Sequence, residues 1–313
     1  MQRIDNRGGI APELRGAIIA MGNFDGFHEG HQAVVGRAIE WARAENRPAI
    51  IATFDPHPVR LFAPDTPPFR LTTLNQREQL FAAAGADAML VFHFDRALAN
   101  KTAEEFVDLL IEEMGASGVV TGEDFTFGKG RSGNVERLKI LGADIGLRSE
   151  AVAPVKTADG TVISSSTIRD ALKIGDCAAA ARLLTRPFAI EGKVLHGDKL
   201  GRTLDFPTAN MELGNYQRPA YGVYAVRGRM TDGRLVDGVA NLGIRPMFDP
   251  PRELLESYFF DFSGDLYDQT IEVRLIGYIR PEMKLDGLDA LKAQIAKDCD
   301  TARQILAETP PLP

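Results

Sequence analysis

Two histidines three residues apart, His28 and His31, sit in the string Gly22-Asn23-Phe24-Asp25-Gly26-Phe27-His28-Glu29-Gly30-His31, between an apolar run, AIIAMG, and an amphipathic stretch reaching about Glu45. A glycine-rich turn from strand to helix lets backbone N–H groups approach phosphate oxygens, and the helix N-terminus favours negative charge. Gly22, Phe24, Asp25 and Gly26 are therefore candidates to line a nucleotide site. Paired imidazoles at that place suit nucleotidyl transfer, which needs an aligned attacking phosphate and stabilisation of the charge growing on the α-phosphate and the leaving pyrophosphate. Two plainer readings compete. HEGH is one residue short of the HExxH pair that binds zinc on one helical face, which leaves metal ligation a minor alternative. Histidines at a helix start are also commonly caps or surface groups, but the glycine-rich turn after a strand favours the phosphate reading.

Other stretches carry weaker chemistry. Ser164, Ser165 and Ser166 precede a helical pattern with Arg169 one turn on, placing hydroxyls and a guanidinium where phosphates can sit; alone, such a stretch is more often an N-cap beside an exposed arginine. Gly128 to Arg131 form a cationic loop able to close on an anion, or simply a solvated turn. His57, between Pro56 and Pro58, is held rigidly whether its role is structural or functional. Further on, Gly197-Asp198-Lys199-Leu200-Gly201-Arg202-Thr203-Leu204-Asp205-Phe206-Pro207-Thr208-Ala209-Asn210 is glycine-containing but lacks the GK[ST] and the following helix of a Walker loop.

The elements that must position these residues follow from periodicity. From Ala17 to about Thr185, apolar runs such as AIIAMG, PAIIATF, AMLVFHF and GVVTG alternate with helical patterns at 30–45 and 102–114, which predicts βαβ units around a buried parallel sheet. After Arg186-Pro187 the pattern changes: VYAVRGR, GVANLGI, LLESYFFDF and IEVRLIGYI arrive at close intervals between Gly, Asp and Pro turns, predicting an antiparallel β-barrel. Leu288, Leu291, Ile295, Ala302 and Ile305 then recur at helical spacing, predicting a closing helix. At 313 residues the chain is long enough for two cores. With 43 acidic and 36 basic residues, net charge -7, broad attraction to nucleic acid or an anionic membrane is not expected, and an anionic ligand needs a local site. Two distant cysteines, Cys177 and Cys299, argue against a disulfide framework. Neither a signal core near Met1–Gly9 nor a run of roughly 20 apolar residues is evident, so a cytoplasmic protein is expected.

The string GNFDGFHEGH resembles the HxGH nucleotidyltransferases, and specifically the adenylyltransferase module of bacterial bifunctional riboflavin kinase/FAD synthetases. Thr53 to Pro58, TFDPHP, is similar to that family's TFxPHP; Thr121 to Gly133, TGEDFTFGKGRSG, to its GxDFxFGxxxxG loop; and Ile163 to Arg169, ISSSTIR, to ISSTxIR, with Ser166 where threonine is usual. In the second half, Gly201 to Asn210 resembles the riboflavin kinase signature GRxLGFPTAN, Asn241 to Pro246 the NxGxRP turn, and Leu255-Glu256-Ser257 the strand bearing a catalytic glutamate.

The resemblance implies a doubly wound adenylyltransferase module at 1–186 and a β-barrel kinase module at 187–313, acting on ATP, riboflavin and FMN, with Mg²⁺, and making FMN and FAD. It implies that Gly197, Gly201 and Arg202 contact nucleotide, that Thr208 and Asn210 help hold Mg²⁺, and that Glu256 is the general base, whereas an unaided reading takes it for an exposed strand glutamate. Asp55, His57, Asp124, Phe125, Phe127 and Arg245 are expected near flavin. Asp205 stands where glycine is usual and Met247 where threonine is usual, which bears on kinase rate. The rivals are an FAD synthetase with a weak barrel kinase, and a flavin-binding regulator without turnover; retention of His28, His31, Thr208, Asn210 and Glu256 speaks against the latter.

Overall fold

Short apolar runs become strands buried on both faces, as parallel strands between helical layers must be. The computed structural model describes residues 1–196, 206–245 and 252–310; Gly197, Gly201, Arg202, Asp205 and Met247 lie outside the described residues. The first of two compact units comprises Met1–Pro67 and Leu74–Ser164. In chain order its elements are β1 (Gln2–Asp5), β2 (Ile18–Met21), α1 (Glu29–Ala44), β3 (Ala49–Asp55), α2 (Pro58–Phe62), α3 (Leu74–Ala84), β4 (Ala88–His93), α4 (Arg96–Ala99), α5 (Ala103–Glu112), β5 (Gly118–Gly122), the two-residue strands β6 (Thr126–Phe127) and β7 (Gly133–Asn134), α6 (Val135–Ile145) and β8 (Arg148–Val152). Six strands form a parallel sheet in the order β1-β4-β3-β2-β5-β8.

Alternation along β2 divides the core. Ile18 and Ala20 join Val35, Ala38 and Trp41 of α1 and Phe81 of α3 on one face, while Ile19 and Met21 join Phe106, Val107 and Leu110 of α5 and Leu138 of α6 on the other. Helices thus cover both faces, the doubly wound arrangement expected. Strand order reverses at β2, and in open α/β sheets ligands bind at the carboxyl ends of the strands flanking such a switch point.

The second unit comprises Pro68–Thr73 and Ser165–Pro313. It contains α7 (Ser165–Lys173), α8 (Cys177–Leu184), β9 (Phe188–Lys193), β10 (Ala209–Glu212), β11 (Gly222–Arg229), β12 (Leu235–Arg245), β13 (Arg252–Phe259), β14 (Thr270–Arg280) and α9 (Leu288–Glu308). The strands run β10-β13-β12-β11-β14-β9, each neighbouring pair antiparallel. A bridge between Leu195 and Asn210, with the Leu195 N–H donating to the Asn210 carbonyl at 2.8 Å, brings the two edges together into a nearly closed barrel. The segment 68–73 joins this unit through Arg70, whose N–H donates to Asn215 O and whose carbonyl accepts from Gln217 N–H.

The barrel interior is filled by alternate residues, among them Ile190, Met211, Tyr224, Leu242, Leu255 and Val273, each 1% exposed or less. The outer face carries Val223, Ala225 and Val239, which pack against Cys299, Ala302 and Leu306 of α9. The closing helix therefore forms where helical spacing predicts it. Ile295 and Ile305 pack against that cluster, whereas Leu288 is exposed. Buried Arg227 ties helix to barrel, donating from Nε to Asp237 Oδ1 at 2.7 Å and from Nη2 to Leu306 O at 2.7 Å.

Candidate active sites

In the first unit the parallel sheet sends adjacent strands β3, β2 and β5 toward one edge, and their carboxyl ends lead into Asp55–His57, Gly22–His31 and Asp124–Phe127 respectively. The turn after β2 is tightly built. Phe24 (φ 48°), Gly26 (φ 90°) and Phe27 (φ 44°) all occupy positive-φ backbone, strained for the two phenylalanines. Their rings, 1% and 4% exposed, hold the turn against Phe81 at 5.9 and 5.1 Å. Asp25 is buried in the same turn.

His28 caps α1, its Nδ1 accepting from the His31 N–H at 3.4 Å. The two imidazoles stack, centroids 3.6 Å apart and planes 21° from parallel, and the Phe24 ring meets His31 edge-on at 5.3 Å. The cap reading and the paired-imidazole reading therefore describe the same residue. Gly30 is glycine because there is little room for more: a Cβ there would lie 3.2 Å from His28 Cε1 and 3.4 Å from Ile163 O. That contact also brings the start of the Ile163–Arg169 stretch to the histidine pair.

A residue that no motif flagged fixes the turn from below. Arg77 of α3, 1% exposed, donates from Nη1 to Asn23 O at 3.1 Å and to Thr53 Oγ1 at 2.6 Å, and Thr53 Oγ1 donates to Asn23 O at 2.9 Å. Two donors thus converge on the carbonyl just before the strained Phe24. No pattern in the sequence around Arg77 marks it for burial, and its burial is a tertiary fact.

The flanking stretches are placed as follows. Asp55 ends β3, and His57 caps the short α2, its Nδ1 accepting from Val59 N–H at 3.2 Å. Asp124 is exposed beside the end of β5, Phe125 is half-buried, and Phe127 is a core residue, packed on Phe106 at 5.3 Å and on Phe125 at 5.7 Å. Ser164 closes the first unit. Ser165 and Ser166 begin α7 in the second, where Arg169 Nε donates to Phe69 O at 2.8 Å with its guanidinium over the Phe69 ring.

In the second unit, register does what sequence distance hides. Asn210 of β10 lies opposite Glu256 of β13, and Glu256 lies opposite Asn241 of β12. Directly opposed residues share a face, so Asn210, Glu256 and Asn241 form one row on the outer face of the barrel. The period-2 alternation of β12 puts Asn241, Gly243 and Arg245 on that face together. Arg245 donates from Nε to Glu256 Oε2 at 2.9 Å, from Nη2 to the same oxygen, and from Nη1 to Glu282 Oε1 at 3.1 Å. Among the described residues no hydrogen bond reaches Glu256 Oε1. Burial works against the Arg245 charge, yet Glu256 and then Glu282 outweigh it and hold its pKa above the ordinary value.

The amide oxygens of Asn210 and Asn241 are buried and accept no hydrogen bond among the described residues. An orphaned buried amide oxygen is an uncommon feature that calls for a partner. Thr208, two residues before Asn210, is half-buried and lines a groove with Val194, Pro207, Phe259, Phe262 and Tyr267.

Comparison with known proteins agrees with this two-part layout. A family model described as FAD synthetase matches residues 10–167, and one described as riboflavin kinase matches residues 184–306. Proteins named bifunctional riboflavin kinase/FMN adenylyltransferase are similar over nearly the whole chain. The one from Escherichia coli (strain K12) is 41% identical over 96% of each chain, that from Pseudomonas fluorescens 39% over 98% of each, and that from Bacillus subtilis (strain 168) 37% over 92% of each. A crystal structure described as a macrolide-efflux protein from Streptococcus pneumoniae is 30% identical, with a TM-score of 0.86 over 97% of this chain and 99% of that one. Among the described residues of the present chain no helix is long and apolar enough to cross a membrane. With a histidine pair at the switch point of a parallel sheet, an Asn–Glu–Asn row on a barrel, and both family models matched in that order, the chain belongs to the bifunctional riboflavin kinase/FMN adenylyltransferase family.

Proposed function

We propose that this protein is a cytoplasmic enzyme that phosphorylates riboflavin to FMN and adenylylates FMN to FAD, using ATP in both steps. The observation that carries the reading is that each matched family span contains its own assembled constellation: stacked His28 and His31 in the first, the Asn210–Glu256–Asn241 row in the second. The adenylyltransferase activity is assigned to 1–186 and the kinase activity to 187–313.

In adenylylation, a phosphate oxygen of FMN attacks the α-phosphorus of ATP, the α–β bridging bond breaks, and pyrophosphate leaves. Backbone N–H groups of Gly22 to Gly26 and the N-terminus of α1 favour the phosphates, and His28 and His31 stabilise the charge that grows during transfer. Ser164, Ser165, Ser166 and Arg169 are assigned to the nucleotide. Asp55, His57, Asp124 and Phe125 are assigned to the flavin side, with Phe127 supporting Phe125 from the core.

In phosphorylation, Glu256 accepts the proton of the terminal ribityl hydroxyl through Oε1 as that oxygen attacks the γ-phosphorus and ADP leaves. Gly197, Gly201 and Arg202 are assigned to the nucleotide, and Arg245 adjoins the flavin's attacking end. The residues present suit Mg²⁺: the orphaned Asn210 amide oxygen and the Thr208 hydroxyl are hard oxygen donors of the kind this ion takes alongside substrate phosphates. When bound there, Mg²⁺ would neutralise phosphate charge.

The direct test incubates purified protein with riboflavin, ATP and Mg²⁺ and separates the flavins by chromatography. FMN followed by FAD is expected, and a chelator should stop FMN formation. Flavin binding with neither product would sink the proposal in favour of a non-catalytic flavin regulator, and FAD from supplied FMN without FMN from riboflavin would leave only the adenylyltransferase half.

A further inference from the structure

Glu282 follows β14 in the sequence Arg280-Pro281-Glu282 and lies outside every catalytic motif considered above. Its carboxylate nevertheless touches three residues of the Asn241–Arg245 segment. Oε1 accepts from Arg245 Nη1 at 3.1 Å and from Asn241 Nδ2 at 3.4 Å. It also rests on the bare backbone of Gly243, where an added Cβ would stand 2.0 Å from that same oxygen. The segment carrying it is anchored two residues earlier, since Arg280 donates from Nε and Nη2 to both oxygens of Asp298 on α9, at 2.9 and 2.6 Å. Asp298 is 4% exposed, and Gln294 Nε2 donates to its Oδ1 at 2.8 Å, so the anchor is fixed within the closing helix.

The division of the Arg245 guanidinium follows from this. An arginine facing one carboxylate ordinarily forms a two-by-two fork, one N–H to each oxygen. Here Nε and Nη2 both go to Glu256 Oε2, and Nη1 is drawn away to Glu282. Glu256 Oε1 is thereby left for substrate. The same carboxylate takes the amino group of Asn241, which turns the Asn241 Oδ1 away from Glu282.

We infer that Glu282 is a positioning residue of the kinase reaction: by holding Arg245 Nη1 and the Asn241 amide, it keeps Arg245 from closing a bidentate fork on Glu256 and so keeps the Oε1 of that glutamate available to the attacking hydroxyl. The inference rests on the proposed role of Glu256 as base. Without Glu282, the guanidinium is free to swing until each oxygen of Glu256 takes one N–H, and the base is occupied by its own neighbour. A lysine at 245 cannot make that fork, having a point charge in place of a planar one.

The test measures steady-state riboflavin phosphorylation by the full-length protein, with FMN adenylylation assayed in the same samples as a check on folding. Glu282→Gln should lower kcat about tenfold, less than the roughly 10²–10⁴-fold expected for removing the base itself, while KM for ATP and for riboflavin changes less than about threefold and adenylylation is unchanged. Because Arg245 also adjoins the flavin, Arg245→Lys alone serves as the reference: on that background Glu282→Gln should lower kcat no further, because the competing fork cannot form. Gly243→Ala provides a second route: its methyl displaces the Glu282 carboxylate without altering any charge, and it should give the same kcat loss in the otherwise unchanged protein and no further loss on the Arg245→Lys background. An unchanged kcat in both Glu282→Gln and Gly243→Ala would overturn the inference, as would an equal loss in kcat when they are added to Arg245→Lys, or a loss matched by rises in both KM values. Glu256→Gln is measured alongside. If it retains full turnover, the base assignment falls and this inference with it; if it loses turnover while the Glu282 variant does not, only the inference falls.

Discussion

At the scale of single residues, the histidine pair of the proposed adenylyltransferase site packs with little spare room. Gly30 shows this most clearly. Replacing a helical glycine by alanine ordinarily stabilises by about 1 kcal/mol. Here the added methyl would press on the His28 ring at 3.2 Å from Cε1 and 3.3 Å from Nδ1. Gly30→Ala is expected to leave the melting temperature nearly unchanged while lowering FMN adenylylation about tenfold, since misplacement of a reacting geometry by a fraction of an ångström is costly; riboflavin phosphorylation should not move. An adenylylation rate equal to wild type would show that the imidazole pair tolerates displacement. The histidine pair stood out in the sequence through its glycine-rich turn between strand and helix, whereas TFDPHP, PTAN and Glu256 stood out only through their resemblance to the family. Arg77 and Glu282 did not, because an arginine in a helix and a glutamate after a strand look like solvent-facing residues until the tertiary structure buries the one and aims the other.

At the scale of elements, the parallel sheet was readable wherever strands are covered on both faces, because their runs are then largely apolar: Ile18–Met21, Ala88–His93 and Gly118–Gly122 lie in those runs, as does Ala49–Asp55 but for its last residue. The two edge strands were not. Gln2–Asp5 and Arg148–Val152 carry polar and charged residues, as edges tend to. The second edge is tied to α1 by charge. Glu45, at the end of α1, accepts from both Nη atoms of Arg148 at 2.6 Å and from Trp41 Nε1 at 2.7 Å. These bonds, that of Arg148 foremost, lower its pKa from 4.5 to about 2. A depressed carboxylate stabilises the fold fully above its unfolded pKa and loses that contribution as pH falls through the folded one. The stability deficit of Glu45→Gln, measured by denaturant unfolding, should therefore be constant from pH 7 down to about 5 and shrink as pH drops toward 3; a deficit independent of pH would show that the ion pair contributes nothing. Four of the barrel's described strands, β11 to β14, were likewise visible as short apolar runs, whereas β9 and β10 were not, and the row of Asn210, Glu256 and Asn241 depends on register between strands far apart in sequence, which periodicity within each strand does not contain.

At the scale of the whole molecule, the proposed function gives one chain two independent phosphate chemistries, attack at the α-phosphorus beside stacked imidazoles and attack at the γ-phosphorus beside a strand glutamate. The constellations lie in separate compact units, so their losses should be separable. The most direct measurement follows flavins by chromatography after riboflavin, ATP and Mg²⁺ are supplied to His28→Ala, to Glu256→Gln, and to an equal mixture of the two. The histidine variant should stop at FMN, the glutamate variant should leave riboflavin largely unconverted yet turn supplied FMN into FAD, and the mixture should make FAD from riboflavin. Loss of both activities in either variant, or FAD formation by His28→Ala at the wild-type rate, would contradict the proposed function.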